Sequence, residues 1–233
     1  MARSSRPMRT HTHLEFEAEL RDLKDRLLAM GGRCEQMIAT AVRAFEERDE
    51  GLAREVIEAD RSMDEDEVVV DEMAVRILAL RQPVGRDLRF AVAAVKASTD
   101  LERIGDEAVN IAERVIEMEP TDRLSPPGSR LPEMAQRAEA MLRDSLNALV
   151  EEDTTKARHV FTQDDAVDDI YGEVMQLCLD YMKDPSRIAD GMRICNCAKY
   201  LERIADHATN IAEMVIFTVE GRDVRHGGGR SGL

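Results

Sequence analysis

The fold is decided by LERIGDEAVNIAERVI at residues 101–116 and its near copy LERIADHATNIAEMVI at residues 201–216. The two stretches are identical at 12 of 16 positions, without a gap. Apolar residues recur in both at spacings of three and four, which is typical of an amphipathic helix. Repetition of such a stretch indicates that the chain is a tandem duplication of one helical unit.

A weaker repeat precedes each copy and extends the duplication to the rest of each half. It aligns residues of the first half with residues 104 positions later: Asp49, Ala53, Arg54, Val56, Asp60 and Asp64 with Asp153, Ala157, Arg158, Val160, Asp164 and Asp168. Breaks near residues 49–51, 83–85, 153 and 185, and a proline-rich segment, divide the chain into six helices. The sequence therefore predicts an all-α protein of two tandem three-helix bundles.

Prolines and predicted helix caps set the domain boundaries. We expect a disordered leader at 1–12, a first three-helix bundle at 13–118 and a proline-rich linker at 119–132. A second bundle at 133–220 and a disordered tail at 221–233 follow. Asp49 and Asp153 are predicted N-caps, because a carboxylate there accepts the free amide groups of the first turn. Gly31 and Gly32 interrupt the first helical pattern and indicate close helix packing or a kink.

Composition excludes several classes of protein. The 233 residues carry a net charge of −15, aromatic residues make up 3% and there is no tryptophan, so the chain lacks the basic, aromatic surface of a nucleic-acid-binding protein. No apolar run is long enough to insert into a membrane. Four cysteines are too few for a disulfide framework in a chain of this length. We expect a soluble, cytoplasmic protein.

The most informative surface is a polar stripe on the repeated helix. On an ideal helix, Glu102, Asp106, Asn110 and Glu113 fall within roughly 80° of one another, away from the apolar face. All four recur in the second copy, as Glu202, Asp206, Asn210 and Glu213. Packing places little constraint on an outward-facing stripe, so its retention indicates a function.

Carboxylate and amide oxygens one turn apart are ligands for divalent cations. One helix supplies too few of them, but the preceding helix of each half carries a further pair of aspartates and packs antiparallel to the first. The sequence therefore predicts a metal site in each half, formed by Asp60, Asp64, Glu102, Asp106 and Asn110 and by Asp164, Asp168, Glu202, Asp206 and Asn210.

A plainer interpretation of the stripe stays open. Acidic helices often have solvated faces, and Arg103 and Arg203 are spaced to pair with the carboxylates around them. His207 is rotated about 100° from Asp206, and the first copy has Glu107 at that position. We therefore predict that His207 is a surface residue and not a ligand.

The chain carries no motif of a known catalytic class. Nucleophile elbows, phosphate-binding loops and dinucleotide fingerprints are all absent, and the sequence predicts a protein that is not an enzyme. Two alternatives remain: a metal-dependent hydrolase of phosphate compounds that uses the same carboxylates, and a purely structural helical scaffold.

Three runs of sequence closely resemble the PhoU family of phosphate-transport accessory proteins. They are QPVGRDLR at residues 82–89, LERIGD at 101–106 and LERIADHATNIAE at 201–213. The resemblance spans about residues 14–219. Two departures are Ala205, which stands in the second copy where the first has Gly105, and a shorter loop around Pro185.

The resemblance implies a cytoplasmic adaptor that represses the phosphate-starvation response when phosphate is plentiful. Its implied partners are the ATPase subunit of the phosphate ABC transporter and a sensor histidine kinase, and the implied oligomer is a homodimer. The resemblance also implies metal ions, of Fe, Mn, Mg or Zn, bound at the acidic motifs named above.

Overall fold

The computed structural model describes residues 8–119 and 124–222, and within these ranges the regular structure is entirely helical. Six long helices make up almost all of it: α1 (Met8–Glu47), α2 (Glu50–Arg81), α3 (Gly85–Ile116), α4 (Leu131–Glu151), α5 (Thr154–Tyr181) and α6 (Ile188–Glu220). Short 3-10 turns at Gly128–Arg130 and Pro185–Arg187 precede α4 and α6. The predicted fold class is confirmed.

The starts of α2 and α5 follow the same local rule in both halves. The side chain of Asp49 accepts hydrogen bonds from the backbone amides of Gly51 and Leu52. Asp153 likewise accepts from the amides of Thr155 and Lys156. Each aspartate satisfies donors that have no partner inside the helix. Both predicted N-caps are therefore present.

Several helix boundaries differ from those expected from proline and charge. The helix α1 begins at Met8, inside the segment 1–12 predicted as a leader; the rest of that segment lies outside the described residues, as does most of the predicted tail at 221–233. The helix α4 begins at Leu131, so its first turn contains Pro132 from the predicted linker. Proline fits a first turn because the amide it lacks would have no partner there.

The helices form two bundles that share one core. Helices α1, α2 and α3 pack together, as do α4, α5 and α6, and the bundles meet where α3 packs on α6 and α1 on α4. The buried apolar side chains form one continuous cluster through both halves. The duplicated units therefore do not close separate cores.

Gly31 marks a close approach of α1 and α4. A Cβ atom at this position would lie 2.1 Å from Cδ1 of Leu146 on α4, whereas a Cβ atom at Gly32 would meet nothing within 4 Å. Of the two outcomes expected for the glycine pair, the structure shows close packing, and it involves Gly31 alone.

The remaining predictions about composition concern cysteine and membrane insertion. Cys34, Cys178, Cys195 and Cys197 are unpaired, and burial raises the pKa of Cys197 to about 12. Among the described helices, none has the length and apolar character needed to span a bilayer.

Candidate metal centres

The first acidic cluster lies where α2 packs against α3. Asp60 and Asp64 are one turn apart on α2, and Glu102 and Asp106 are one turn apart on α3. Burial raises the pKa of Asp60, and the nearby carboxylates of Asp106 and Asp64 raise it further. Burial also raises the pKa of Glu102, with contributions from Asp106 and Asp64. The four carboxylates therefore form one mutually repelling group, which we call the first cluster.

Asp60 has the least satisfied carboxylate of the first cluster. Its Oδ1 atom is buried and has no hydrogen-bond partner among the described residues. A Cβ atom at Gly105, on the facing helix, would lie 3.6 Å from this oxygen. A buried carboxylate oxygen without a donor is costly, because it has lost its water without replacement. A cation or a proton would remove that cost.

Arg103 occupies the exposed side of the first cluster. Its Nη1 donates to Oδ2 of Asp106 at 2.8 Å, and its Nε lies 3.3 Å from Oε2 of Glu102. The arginine bridges two carboxylates of its own helix, as the plainer interpretation of the stripe predicts. Because its side chain is 54% exposed, the pairing is weak and can be replaced.

The second cluster repeats the arrangement between α5 and α6. Burial raises the pKa of Glu202, and the carboxylates of Asp206, Asp168 and Asp164 add to the effect in that order. Asp164 is almost fully buried. The residue that corresponds to Arg103 behaves differently here, since Arg203 extends away to Glu107 on α3, with Nη1 2.7 Å from Oε1. Arg203 therefore does not bridge Glu202 and Asp206 in the way that Arg103 bridges Glu102 and Asp106.

The two predicted amide ligands point to other partners. Asn110 donates to Oε2 of Glu107 at 3.2 Å, and Asn210 donates to Oδ1 of Asp100 at 3.1 Å. His207 also contacts Asp100, with Nδ1 2.8 Å from Oδ1. Of the ten predicted ligands, the structure thus groups eight carboxylates, whereas Asn110 contacts Glu107 on its own helix and Asn210 contacts Asp100 of the other bundle.

The prediction that His207 is a surface residue is wrong. The comparison of residues 101–116 with residues 201–216 showed only that Glu107 and His207 differ between the copies. Both side chains lie at the packing of α3 on α6, where Glu107 is 2% exposed and His207 is half-buried. Each half presents a different side chain to the other across this contact, so the two positions diverge.

Glu67 is a further carboxylate beside the first cluster, and the sequence comparison missed it. Its charge contributes to the raised pKa of Glu102, and its Oε1 accepts from Oγ1 of Thr99 at 2.9 Å. The corresponding residue in the second half is Tyr171. Burial raises the pKa of its phenol, and the nearby carboxylate of Glu202 raises it further. A search for residues retained in both halves could not find Glu67. Its spacing of three residues from Asp64 on the same helix face was the available signal.

The side chains as they stand do not complete a coordination shell. Within residues 8–119 and 124–222, no three His, Cys, Asp or Glu side chains converge in a geometry that could hold a metal ion. The donor set is nevertheless all oxygen, as Mg²⁺ and Mn²⁺ prefer. Asp60 also has an oxygen that lacks a donor. The donor set thus has the chemistry that a hard cation requires, but not yet the convergent geometry.

Comparison with known proteins decides the family. A family model described as "PhoU domain" matches the chain twice, at residues 27–115 and 131–215. The chain belongs to the PhoU family. The two PhoU matches contain α2 with α3 and α5 with α6, so each includes one acidic cluster.

Curated PhoU relatives cover nearly the whole chain. A phosphate-specific transport system accessory protein PhoU homolog from Pseudomonas putida is 40% identical over 220 residues, which are 94% of this chain and 86% of that protein. The phosphate-specific transport system accessory protein PhoU of Escherichia coli K12 is 35% identical over 94% of this chain and 91% of its own length.

Solved PhoU structures share the fold. The crystal structure of PhoU from Pseudomonas aeruginosa has a TM-score of 0.83 at 38% identity and covers 89% of this chain and 100% of that chain. The phosphate transport system regulatory protein PhoU from Streptococcus pneumoniae has the same TM-score at 28% identity, over 90% and 99%. The six-helix arrangement is therefore that of the family.

Proposed function

We propose that this chain is a cytoplasmic regulator of phosphate uptake and signalling that represses the phosphate-starvation response when phosphate is plentiful. The relatives are named as accessory proteins of the phosphate-specific transport system, and they match over most of their length. A relative of known structure is named a phosphate transport system regulatory protein. An accessory role, and not catalysis, is the function these names support.

The proposed partners are the ATPase subunit of the phosphate ABC transporter and the sensor histidine kinase of the phosphate response. The regulator acts as a homodimer and contacts both from the cytoplasm. A net charge of −15 supports association with proteins whose docking surfaces are basic, because complementary charge speeds encounter and disfavours wrong partners.

Metal ions at the two clusters are the second part of the proposal. Asp60, Asp64, Glu102 and Asp106 would hold a cation in the first half, and their counterparts on α5 and α6 would do so in the second. The observation that carries this proposal is the buried Oδ1 of Asp60, which no described group satisfies. Fe, Mn, Mg and Zn are the candidate metals, and the all-carboxylate donor set favours the harder ions.

When bound, the cation supplies charge neutralisation and a link between two helices. Burial and mutual repulsion raise the pKa values of Asp60 and Glu102 on facing helices. Neutralising that repulsion would fix α2 against α3, and α5 against α6 in the same way. The partner-binding surface would then depend on the occupied state of both clusters.

Arg103 makes the two acidic clusters unequal in their expected affinity for metal. Its pairing with Glu102 and Asp106 must be released before those carboxylates can turn toward a cation, whereas Arg203 is held by Glu107. We therefore expect the second cluster to bind metal more tightly than the first. Replacing Arg103 by Gln should raise the affinity of the first cluster.

Complementation with capture tests the regulatory proposal. Cells that lack their own chromosomal copy would carry the wild type, the cluster variant Asp60→Asn/Glu102→Gln or the control Glu58→Gln, which alters an exposed carboxylate on α2. Starvation-reporter output would be measured at high phosphate. The tagged chain would be captured and probed for the transporter ATPase and the kinase.

The proposal predicts repression and capture of both partners by the wild type and by Glu58→Gln. The cluster variant should derepress the reporter while remaining folded. Failure of the folded wild type to repress, or to capture either partner, would contradict the regulatory role. Equal repression by the cluster variant would leave the regulatory role intact, but it would show that metal binding is not needed for that role.

A further inference from the structure

A cavity of about 470 Å³ lies away from both acidic clusters. It opens between Arg48 at the end of α1, the described residues Glu119, Ser125 and Pro126 between α3 and α4, and the beginning of α6. Its lining includes Arg48, Arg187 and Arg193, together with the hydroxyl-bearing residues Ser125, Ser186 and Tyr181. The Tyr181 hydroxyl donates to Asp190, and the Ser186 hydroxyl donates to Asp184. The size falls within the range of small-molecule sites. Three arginines in one cavity stand out in a chain whose net charge is −15.

Arg48 is the buried charge of this cavity. Its side chain is 4% exposed, and its Nε and Nη1 atoms have no hydrogen-bond partner among the described residues. The guanidinium carbon lies 4.7 Å from the ring centroid of Phe45, and Nη2 lies 3.5 Å from Oδ1 of Asp190. That ion pair is longer than a charge-assisted hydrogen bond. A buried guanidinium with two unused donor atoms therefore lines an open cavity.

Arg187 and Arg193 line the same cavity with loosely held guanidinium groups. Arg187 stacks over Tyr181, with its guanidinium carbon 5.1 Å from the ring centroid, and pairs with Asp184 at 3.2 Å. Arg193 lies 3.5 Å from a carboxylate oxygen of Glu117. Their side chains are 53% and 28% exposed, so both can turn toward a ligand at little cost.

Four carboxylates accompany the three arginines. Glu119 and Asp190 line the cavity, and Asp184 and Glu117 pair with Arg187 and Arg193 beside it. Ala189 and Asp190 belong to the first turn of α6 and also line the cavity. The N-terminus of a long helix carries partial positive charge and favours anions. The two donor atoms of Arg48 that have no partner, and not the net charge, make the cavity suited to an anion with several acceptor oxygens.

We propose that this cavity binds a small ligand through a phosphate-type oxyanion. Planar guanidinium groups pair with phosphate oxygens bidentately, and hydroxyl and helix N-terminal groups are the usual additional donors. The shared chemistry is the tetrahedral phosphate group, carried either by inorganic phosphate or by the phosphoryl end of a nucleotide. The site uses none of the cluster carboxylates, so it stands or falls independently of the metal proposal.

Calorimetric titration of the full chain tests the site with two probes, inorganic phosphate and ADP, at constant ionic strength set with sodium chloride. The variants are Arg187→Gln, Arg193→Gln and Arg48→Gln. The control is Arg54→Gln, an exposed arginine on α2 that pairs with Glu50. Circular dichroism of each variant establishes that it is folded. Because Arg48 is buried, the two more exposed arginines keep the test decisive if Arg48→Gln unfolds.

Saturable binding of either probe by the wild type and by Arg54→Gln is the expected result. Arg187→Gln and Arg193→Gln should each weaken it by about tenfold, the loss of one good charged contact. Binding of phosphate identifies the free ion as the ligand, and binding of ADP alone identifies a phosphoryl group on an organic carrier. Absence of saturable binding of both probes up to about 10 mM, which corresponds to negligible affinity, would overturn the proposal. Undiminished binding by both arginine variants would also overturn it.

Discussion

At the scale of single residues, the two clusters combine features that the sequence could reveal with others that it could not. The i, i+4 spacing of carboxylates places Asp60 and Asp64 on one face, and Glu102 and Asp106 on another. That these faces meet follows from antiparallel neighbouring helices. The burial of the Asp60 oxygen does not follow from the spacing, because it depends on how closely the facing helix packs against this side chain.

The raised pKa values of Asp60 and Glu102 predict how stability depends on pH in the metal-free protein. A carboxyl group whose pKa is raised on folding stabilises the fold when protonated, so its unfavourable effect is present at neutral pH. That effect disappears as the pH falls toward the ordinary values of 3.8 and 4.5. In chelator-treated buffer, Asp60→Asn/Glu102→Gln should be more stable than the wild type at pH 7.

The comparison is made by urea unfolding of both proteins at several pH values. Groups with lowered pKa values, such as Glu19 and Asp184, act in the opposite direction but are common to both chains. The difference between the two proteins should therefore shrink as the pH falls from 7 toward 4. A difference that stays constant with pH would contradict the electrostatic origin assigned to it.

The adjacent glycines of α1 provide a second test at this scale. Gly32→Ala should stabilise the protein by about 1 kcal/mol, because alanine favours the helix and nothing obstructs its Cβ atom. Gly31→Ala must displace Leu146 and should be less stable than Gly32→Ala by about 1–3 kcal/mol. Thermal or urea unfolding of the two variants measures the difference. Equal stabilities would show that α1 and α4 are not in close contact there.

At the scale of elements, sequence periodicity and capping were sufficient to define the helices. The repeat gave the number of helices in each half, and the aspartate caps gave the starts of α2 and α5. The boundaries that differed lie near proline or at the termini. Pro132 fits the first turn of α4, so its presence could not by itself distinguish a linker from a helix start.

The paired caps predict equal losses in the two halves. Asp49→Ala and Asp153→Ala should each lower the free energy of unfolding by about 1 kcal/mol, because two first-turn amides lose their acceptor. Asp49→Asn and Asp153→Asn should retain most of the stability, since the amide oxygen can also accept. Urea unfolding measures all four variants. A full loss in the asparagine variants would mean that charge, and not capping, is the cause.

At the scale of the whole molecule, the contact between α3 and α6 accounts for what the repeat concealed. Arg103 and Arg203 occupy equivalent positions, yet one bridges its own helix and the other reaches Glu107. Asn210 and His207 both contact Asp100. These partners come from the opposite half, so an alignment of the halves could not predict them. The sequence thus indicated the grouped carboxylates, but not that the side-chain amides of both asparagines would contact other acceptors.

Glu107 predicts how strongly the two bundles are coupled. It is 2% exposed, forms an ion pair with Arg203 at 2.7 Å and accepts a hydrogen bond from Asn110 at 3.2 Å. Glu107→Ala should cost about 1–3 kcal/mol, because an ion pair and a hydrogen bond to a charged group are lost while Arg203 stays partly hydrated. A double-mutant cycle with Arg203→Ala should give a coupling energy of about 1 kcal/mol or more. Additive effects of the two substitutions would show that Glu107 and Arg203 are not energetically coupled.

The central claim, that both duplicated clusters bind cations, is tested most directly by metal analysis after equilibrium dialysis. The samples are the wild type, Asp60→Asn/Glu102→Gln, Asp164→Asn/Glu202→Gln, the combination of all four changes, and the exposed-surface control Glu58→Gln/Glu72→Gln. Each would be dialysed against Mn²⁺ and assayed by elemental mass spectrometry. We predict that each half-variant loses about half of the bound metal, that the combined variant loses nearly all of it and that the control loses none. Equal metal content in the wild type and the combined variant, with both folded, would contradict the account.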